Sequence, residues 1–271
     1  MSSNRLVSHF GLAFHPFNRG APKEAVFRHP GFEEALSRLR FTVELEGLAT
    51  LIADSGCGKS MLLGELAEEV TSQGWTVHYF AHSSIGPFGL INVIARKIGK
   101  SPCRSRGETA MLVSQTLLVE QRGTKHLLVI DDAHELPDTS LVDLRLLTVA
   151  DFDRKSPFLL LLAGQPALDE RLAEPTHHAL DQRVTTVARL QPLSLEETRT
   201  YLRQRLAAAG VKKSQPVFEP GAEDAVYDAA AGVPRRINQV ATAAMIVCAS
   251  RKRRLVSAQD VQDARIDRGR S

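Results

Sequence analysis

Eight consecutive residues, Ala53-Asp54-Ser55-Gly56-Cys57-Gly58-Lys59-Ser60, follow the pattern G-x-x-x-x-G-K-[ST] at every position but the first. Alanine stands for the first glycine, at the end of an apolar run where a methyl group is tolerable. Residue types in this order hold phosphate. Glycines at 56 and 58 let the backbone turn its N–H groups inward, and the helix that follows adds unpaired donors and the positive end of its dipole. Lys59 is placed to reach the β- and γ-phosphates, and the Ser60 hydroxyl to hold Mg²⁺. The stretch therefore predicts ATP and Mg²⁺ as cofactors, with Ala53, Asp54, Ser55, Gly56, Cys57, Gly58, Lys59, Ser60 and Met61 around the nucleotide. Cys57 reads as a small filler rather than a nucleophile.

A second concentration of chemistry is His126-Leu127-Leu128-Val129-Ile130-Asp131-Asp132, a run that is apolar until two carboxylates end it. In a P-loop protein the first such carboxylate holds Mg²⁺ and the next polarises water for attack on the γ-phosphate. Asp131 is thus the metal residue and Asp132 the catalytic one. Glutamate is commoner at the second position, and aspartate is one methylene shorter, which predicts slow hydrolysis. The plain structural reading of the pair is a solvated strand end. Gln165 follows the next apolar run, where a polar residue senses the γ-phosphate in one branch of P-loop folds; as plain structure it is a turn residue before Pro166.

These side chains need a scaffold that brings the ends of several strands together. Apolar runs at 48–52, 75–80, 126–130 and 157–163, with an alternating stretch at 184–190, read as five strands. Segments at 86–98, 109–121, 136–148 and 168–173, with the helix after the phosphate loop, have helical spacing. Another helix opens at Pro30-Gly31 with Phe32, Ala35, Leu36, Leu39 and Val43 on one face. Strands alternating with helices predict an α/β fold with a parallel five-stranded sheet and flanking helices, whose ligands bind at the carboxyl ends of the strands. Composition changes at Pro192. Ser194-Leu195-Glu196-Glu197 is a capping box, and helices at 222–231, 234–249 and 258–266 follow, the last capped by Ser257. The expected domains are an N-terminal arm (1–30, whose aromatic stretch from His9 to Phe17 reads as extended and packed on the domain), a nucleotide-binding domain (31–191) and a small all-helical lid (192–271).

Composition excludes several classes. No apolar run approaches the ~18 residues of a membrane span, and the first residues lack the apolar core of a signal peptide. Three widely spaced cysteines, Cys57, Cys103 and Cys248, form neither a disulfide framework nor a zinc site, which predicts a cytoplasmic protein with no membrane partner. Net charge is only +3. The bases nevertheless gather late: Arg235, Arg236, Arg251, Lys252, Arg253, Arg254, Arg265, Arg268 and Arg270 stand against Asp260, Asp263 and Asp267. That end reads either as a surface for a polyanion or as a solvated face.

The set of motifs resembles the ExeA/TnsC-like branch of the AAA+ ATPases, including transposition-associated proteins of the TniB, TnsC and MuB type, over nearly the full length. It comprises His9-Phe10-Gly11-Leu12 with Pro16-Phe17, Ala35-Leu36-Ser37-Arg38-Leu39, the phosphate loop, Val129 to Leu136, and Leu144-Arg145-Leu146-Leu147. Leu162-Ala163-Gly164-Gln165-Pro166, Asp181-Gln182-Arg183-Val184, Leu193 to Thr198 with Arg205-Leu206, and Gly232-Val233-Pro234-Arg235-Arg236-Ile237-Asn238 complete it. The resemblance implies that Gln165 is sensor 1 and that Arg183 is an arginine finger serving the neighbouring subunit. It also implies that Arg235 is sensor 2, with Arg236 as the alternative contact. Arg183 as plain structure is a salt-bridged arginine at a strand start. The implied function is an ATPase, slow and dependent on a homo-oligomeric ring or filament, that binds double-stranded DNA and recruits a transposase as a regulator of transposition. Two alternatives stand beside it. One is a general-secretion ATPase like ExeA, in which this domain is joined to a membrane span and a cell-wall-binding domain, neither of them expected here. The other is a non-hydrolysing nucleotide switch that scaffolds partners.

Overall fold

The computed structural model describes residues 3–18, 26–45, 47–80, 89–120, 125–148, 158–212 and 214–266. In chain order the elements are α1 (Ser3–Phe10), α2 (Pro30–Leu45), β1 (Leu48–Ala53), α3 (Lys59–Ser72), β2 (Thr76–Phe80), α4 (Gly89–Lys97), α5 (Arg106–Glu120), β3 (His126–Ile130) and α6 (Asp138–Leu147). Then come β4 (Leu159–Gly164), α7 (Ala167–Leu172), α8 (His178–Asp181), β5 (Val184–Leu190), α9 (Leu195–Ala208), α10 (Pro220–Ala230), α11 (Pro234–Ser250) and α12 (Ala258–Ile266). The expected starts at 86–88 and 157, and Glu46 at the end of the second helix, fall outside the described residues. The chain separates into two compact units, Pro30–Leu190, and Met1–His29 together with Gln191–Ser271.

The first unit is built on five parallel strands in the order β2-β3-β4-β1-β5. Every residue of β1, β3 and β4 is buried, as inner strands covered on both faces require, and this is why they read as unbroken apolar runs. The strand order decides where a ligand can go. β1 and β4 are neighbours, yet the chain leaves β1 toward β2 at one edge of the sheet and leaves β4 toward β5 at the other, which opens a crevice at their carboxyl ends. Ile52 is in register with Gly164 and Ile130 with Leu162. The residues that follow β1, β3 and β4 therefore emerge along one edge. The expected helix at 136–148 begins two residues later than its apolar pattern suggests. Pro137, with φ −61° and ψ 149°, is its N-cap, and the residue before a proline is pushed out of helical geometry, so Leu136 is extended. A single 3₁₀ turn, Ala133–Glu135, fills the gap after Asp132.

The second unit is helical, and it corrects the expectation of an extended N-terminal arm. Ser3–Phe10 is a helix, and Leu6, Leu12 and Phe17 are buried in the same core as Leu202, Leu206, Phe218, Val226 and Ile237. An eight-residue helix is marginal alone, so this burial is what holds it. The Ala13 N–H donates to the Ala209 carbonyl at 2.9 Å, and Arg205 donates to the carbonyls of Pro16 (2.7 Å) and Asn18 (2.9 Å). The capping box forms as expected: the Glu197 N–H donates to Ser194 Oγ and the Ser194 N–H to Glu197 Oε2. At Gly232 both conformation and space demand glycine. Its φ is +71°, and a Cβ there would lie 2.0 Å from the Leu193 carbonyl oxygen.

Candidate functional site

The phosphate loop turns at Gly56 (φ 92°) and Gly58 (φ 106°), both in backbone regions that other residues rarely adopt. Gly58 is the N-cap of α3 and offers no side chain to its first turn. Among the described residues the N–H groups of Gly56, Gly58, Lys59 and Ser60 make no hydrogen bond within the chain, whereas those of Met61 and Leu62 already donate to the Gly58 carbonyl. A Cβ placed on Gly58 meets nothing within 4 Å. Orphan donors beside open space at a helix N-terminus form a cradle for an anion. Ala53 is buried at the end of β1, Cys57 is buried, and Asp54, Ser55, Ser60 and Met61 are exposed. Met61 thus contributes an exposed side chain to the rim rather than a backbone donor.

The Lys59 ammonium folds back over the loop and donates to the carbonyls of Ala53 (2.6 Å) and Asp54 (3.3 Å). Burial pushes its pKa down, and the charges of Asp131 and Asp132 oppose that shift. Asp131 is itself buried, at the carboxyl end of β3. The Asp132 N–H donates to its Oδ1 at 2.9 Å, and Ser60 Oγ lies 3.5 Å from its Oδ2. Asp132 has φ 53° and ψ 36°, a left-handed backbone in which aspartate is among the few tolerated side chains. That conformation gives a physical reason for the short acid at a position where glutamate is commoner.

Gln165 emerges directly after β4, beside the end of β1, and its amide nitrogen lies 2.9 Å from Nε2 of His134. The His134 carbonyl accepts from Arg171 at 2.7 Å, and a Cβ on Gly164 would stand 3.3 Å from the His134 backbone nitrogen, so this turn is pressed against the end of β4. Arg183 is not brought to this edge. It precedes β5, whose first residue is in register with Leu48 and whose last is in register with Ala53. At ~3.3 Å per residue that is about 20 Å from the loop of its own chain. Arg235 and Arg236 are exposed in the first turn of α11, in the helical unit.

Two contacts here escaped the sequence reading. The Tyr79 hydroxyl donates to Asp131 Oδ2 at 2.7 Å, and burial followed by that bond pushes the phenol pKa well above its ordinary value. His134 holds the Gln165 amide. Both residues lie on segments distant in sequence from their partners; Tyr79 belongs to no motif, and His134, although inside the stretch Val129 to Leu136, has no spacing that announces its contact.

ATP and Mg²⁺ fit these residues. The cradle supplies donors, Lys59 a cation, and Ser60 with Asp131 two oxygens. These two oxygens lie 3.5 Å apart and are of the hard kind that Mg²⁺ takes. The described residues hold no group of three or more His, Cys, Asp or Glu placed for a metal. One carboxylate plus substrate phosphates is the usual provision for Mg²⁺ rather than an all-protein cage.

Comparison with known proteins agrees with this fold. Residues 43–172 match the model of a family described as an AAA domain. Cdc6p from Pyrobaculum aerophilum superposes with a TM-score of 0.70 at 20% identity, covering 93% of this chain and 70% of that one. The fold is the P-loop AAA+ fold. Drosophila ORC bound to DNA shows the same AAA+ likeness, with a TM-score of 0.69 at 18% identity over 100% of this chain and 67% of that one. General secretion pathway protein A of Aeromonas hydrophila is 28% identical over 246 residues, which is 89% of this chain. The chain spans 44% of the length of that curated relative. No helix among the described residues is long and apolar enough to cross a membrane.

Proposed function

We propose that this chain is a Mg²⁺-dependent ATPase that assembles on duplex DNA in its ATP-bound state. Bound Mg²⁺ would supply positive charge at the β- and γ-phosphates, between Ser60 and Asp131. The chain's own residues do the rest: the loop N–H groups and Lys59 bind the phosphates, Asp132 orients water and accepts its proton, and Gln165 orders the γ-phosphate side. Arg183, out of reach of its own loop, serves the site of a neighbouring copy, and Arg235 keeps the sensor 2 role that the sequence resemblance implies. The observation that supports DNA is a corner between α4 and α5. From Gly89 to Gly107 there are five bases and no acid. Arg106 is paired with Asp143, while Arg96, Lys97, Lys100 and Arg104 form no ion pair among the described residues. The Lys100 N–H donates to the Ala95 carbonyl and the Gly99 N–H to that of Arg96, with Gly99 at φ 75°, a Schellman closure. Ser105 then caps α5 by accepting from the Glu108 N–H. Four cations thus stand on a backbone pinned at both ends.

The C-terminal bases divide differently from what their sequence suggests. Arg251 is paired with Asp260 (2.7 Å) and Asp263 (2.5 Å), and Arg253 with Asp260, which leaves Lys252 and Arg254 exposed and unpaired among the described residues. Arg235 and Arg236 lie at the other end of α11, about 24 Å away at ~1.5 Å per residue. The Arg265 side chain, Arg268 and Arg270 lie outside what the structure describes. Among structural relatives, Drosophila ORC is bound to DNA, which favours the same reading. Recruitment of a transposase to that DNA is the use implied by the sequence resemblance. The likeness to general secretion pathway protein A favours a second reading, a secretion-type ATPase. Anisotropy of a labelled random-sequence duplex, with and without ATP, decides between them. ATP-dependent binding is expected, and neutralising Arg96, Lys97, Lys100 and Arg104 should flatten the log–log salt slope by about 0.9 for each phosphate that is no longer neutralised. No binding at low salt with ATP would remove the DNA reading and leave the secretion-type one.

A further inference from the structure

The carboxylate assigned to the metal is held by a side chain from another strand. Tyr79 is in register with Val129 across the parallel β2–β3 pair. Residues in register project from the same face, and side chains two apart on a strand share a face, so Tyr79 and Asp131 point to one side of the sheet. The pairing continues to the carboxylate itself, because the Asp131 N–H donates to the Phe80 carbonyl at 2.9 Å. Tyr79 donates to Oδ2 at 2.7 Å, the same oxygen that Ser60 Oγ approaches at 3.5 Å, while Oδ1 is occupied by the Asp132 N–H. Oδ1 keeps a lone pair beyond its bond, the second lone pair of Oδ2 faces Ser60 Oγ, and the carboxylate is bonded at both oxygens. Tyr79 is 41% exposed, so its ring is not core filling.

We infer that Tyr79 is a positioning residue for Mg²⁺, its hydroxyl keeping Asp131 Oδ2 turned toward Ser60. The inference rests on the nucleotide and Mg²⁺ reading of the loop. A metal-binding carboxylate that rotates freely must be ordered when the ion binds, and outer-shell partners that prevent this are worth roughly 10–100-fold in metal affinity. Tyr79→Phe removes the hydroxyl and leaves the ring and every charge in place.

The test is the affinity of the full chain for labelled ATP in EDTA and in saturating Mg²⁺, for wild type and Tyr79→Phe. The nucleotide-free melting temperature serves as the folding control, and depletion of free Mn²⁺ by electron paramagnetic resonance is a second readout. The variant should remain folded, melting a few degrees lower for the loss of one hydrogen bond to a carboxylate, and the two proteins should bind ATP equally in EDTA. The gain in ATP affinity on adding Mg²⁺ should be about tenfold smaller in the variant. A gain within twofold of wild type overturns the inference, and so does a larger gain, which would make Tyr79 a competitor of the metal. Weaker binding in EDTA would place Tyr79 on the nucleotide and overturn it as well. A wild-type protein that gains nothing from Mg²⁺ fails the underlying reading itself, a result distinct from the others.

Discussion

Replacing Lys59 with methionine keeps the aliphatic stem and deletes one buried charge. In the structure the ammonium is bonded to the carbonyls of Ala53 (2.6 Å) and Asp54 (3.3 Å). Nucleotide binding exchanges those bonds for contact with a phosphate. The attraction of unit charges about 4 Å apart is about 4 kcal/mol at an effective dielectric constant of about 20. Giving up the shorter carbonyl bond costs about 1 kcal/mol, and the longer one contributes little. The difference, about 3 kcal/mol, is about a hundredfold in Kd at about 1.4 kcal/mol per decade. Stability should move the other way. Burial is the largest influence on Lys59 and lowers its pKa, so the fold disfavours the charged form despite Asp131 and Asp132. Removing the charge should leave the nucleotide-free melting temperature equal or higher. Labelled-ATP anisotropy and a thermal melt without nucleotide measure the two effects. An affinity within threefold of wild type refutes the phosphate role, and a lowered melting temperature with unchanged affinity makes Lys59 a structural residue.

Arg183 is expected to act only between copies of the chain, since about 20 Å of strand separates it from its own loop. Turnover per subunit should rise with protein concentration, and Arg183→Ala should lose turnover while keeping ATP affinity. Mixing it with Lys59→Met subunits should restore part of the rate, and a concentration-independent rate counts against a composite site. A pH dependence follows from His15 and His29, both in the N-terminal segment that packs on the helical unit, where burial holds each imidazole below its ordinary value. The unfolded chain then binds more protons than the folded one between the lowered values and about 6.5, so stability falls as pH drops through that window. Urea midpoints at about pH 7.5 and 5.5 should differ, and His29→Gln should narrow the difference; equal midpoints in wild type refute the linkage.

Much of the scaffold was legible because it obeys local rules. The runs at Leu48–Ala53, His126–Ile130 and Leu159–Gly164 are apolar because inner parallel strands are buried on both faces. Gly56 and Gly58 announce a turn that needs positive φ, and Ser194 with Glu197 announces a helix start within a few residues. A pattern of this kind is complete in a short stretch of sequence, and so was the phosphate loop. The N-terminal segment resisted for the converse reason. Ser3–Phe10 is too short to be helical by its own propensity, and its helix exists because Leu6 reaches a core most of whose members lie some two hundred residues on.

Charge and partnership were decided by tertiary structure alone. Read along the chain, Arg251, Lys252, Arg253 and Arg254 are one basic run; folded, Asp260 and Asp263 neutralise two of the four. The bases at 96, 97, 100 and 104 are already close in sequence, but only the turn at Gly99 and the cap at Ser105 set them on one corner, and only the folded chain shows that they have no acidic partner among the described residues. Tyr79 and His134 entered the site the same way. Sequence determined which residues have the chemistry for phosphate and Mg²⁺, because that chemistry lies in residue type and short spacing. Only the strand order, with β4 between β1 and β3, determined which of them meet at one edge. Only the register of β2 on β3 set a phenol against Asp131, because adjacency in a sheet is a long-range choice that no short window of sequence contains.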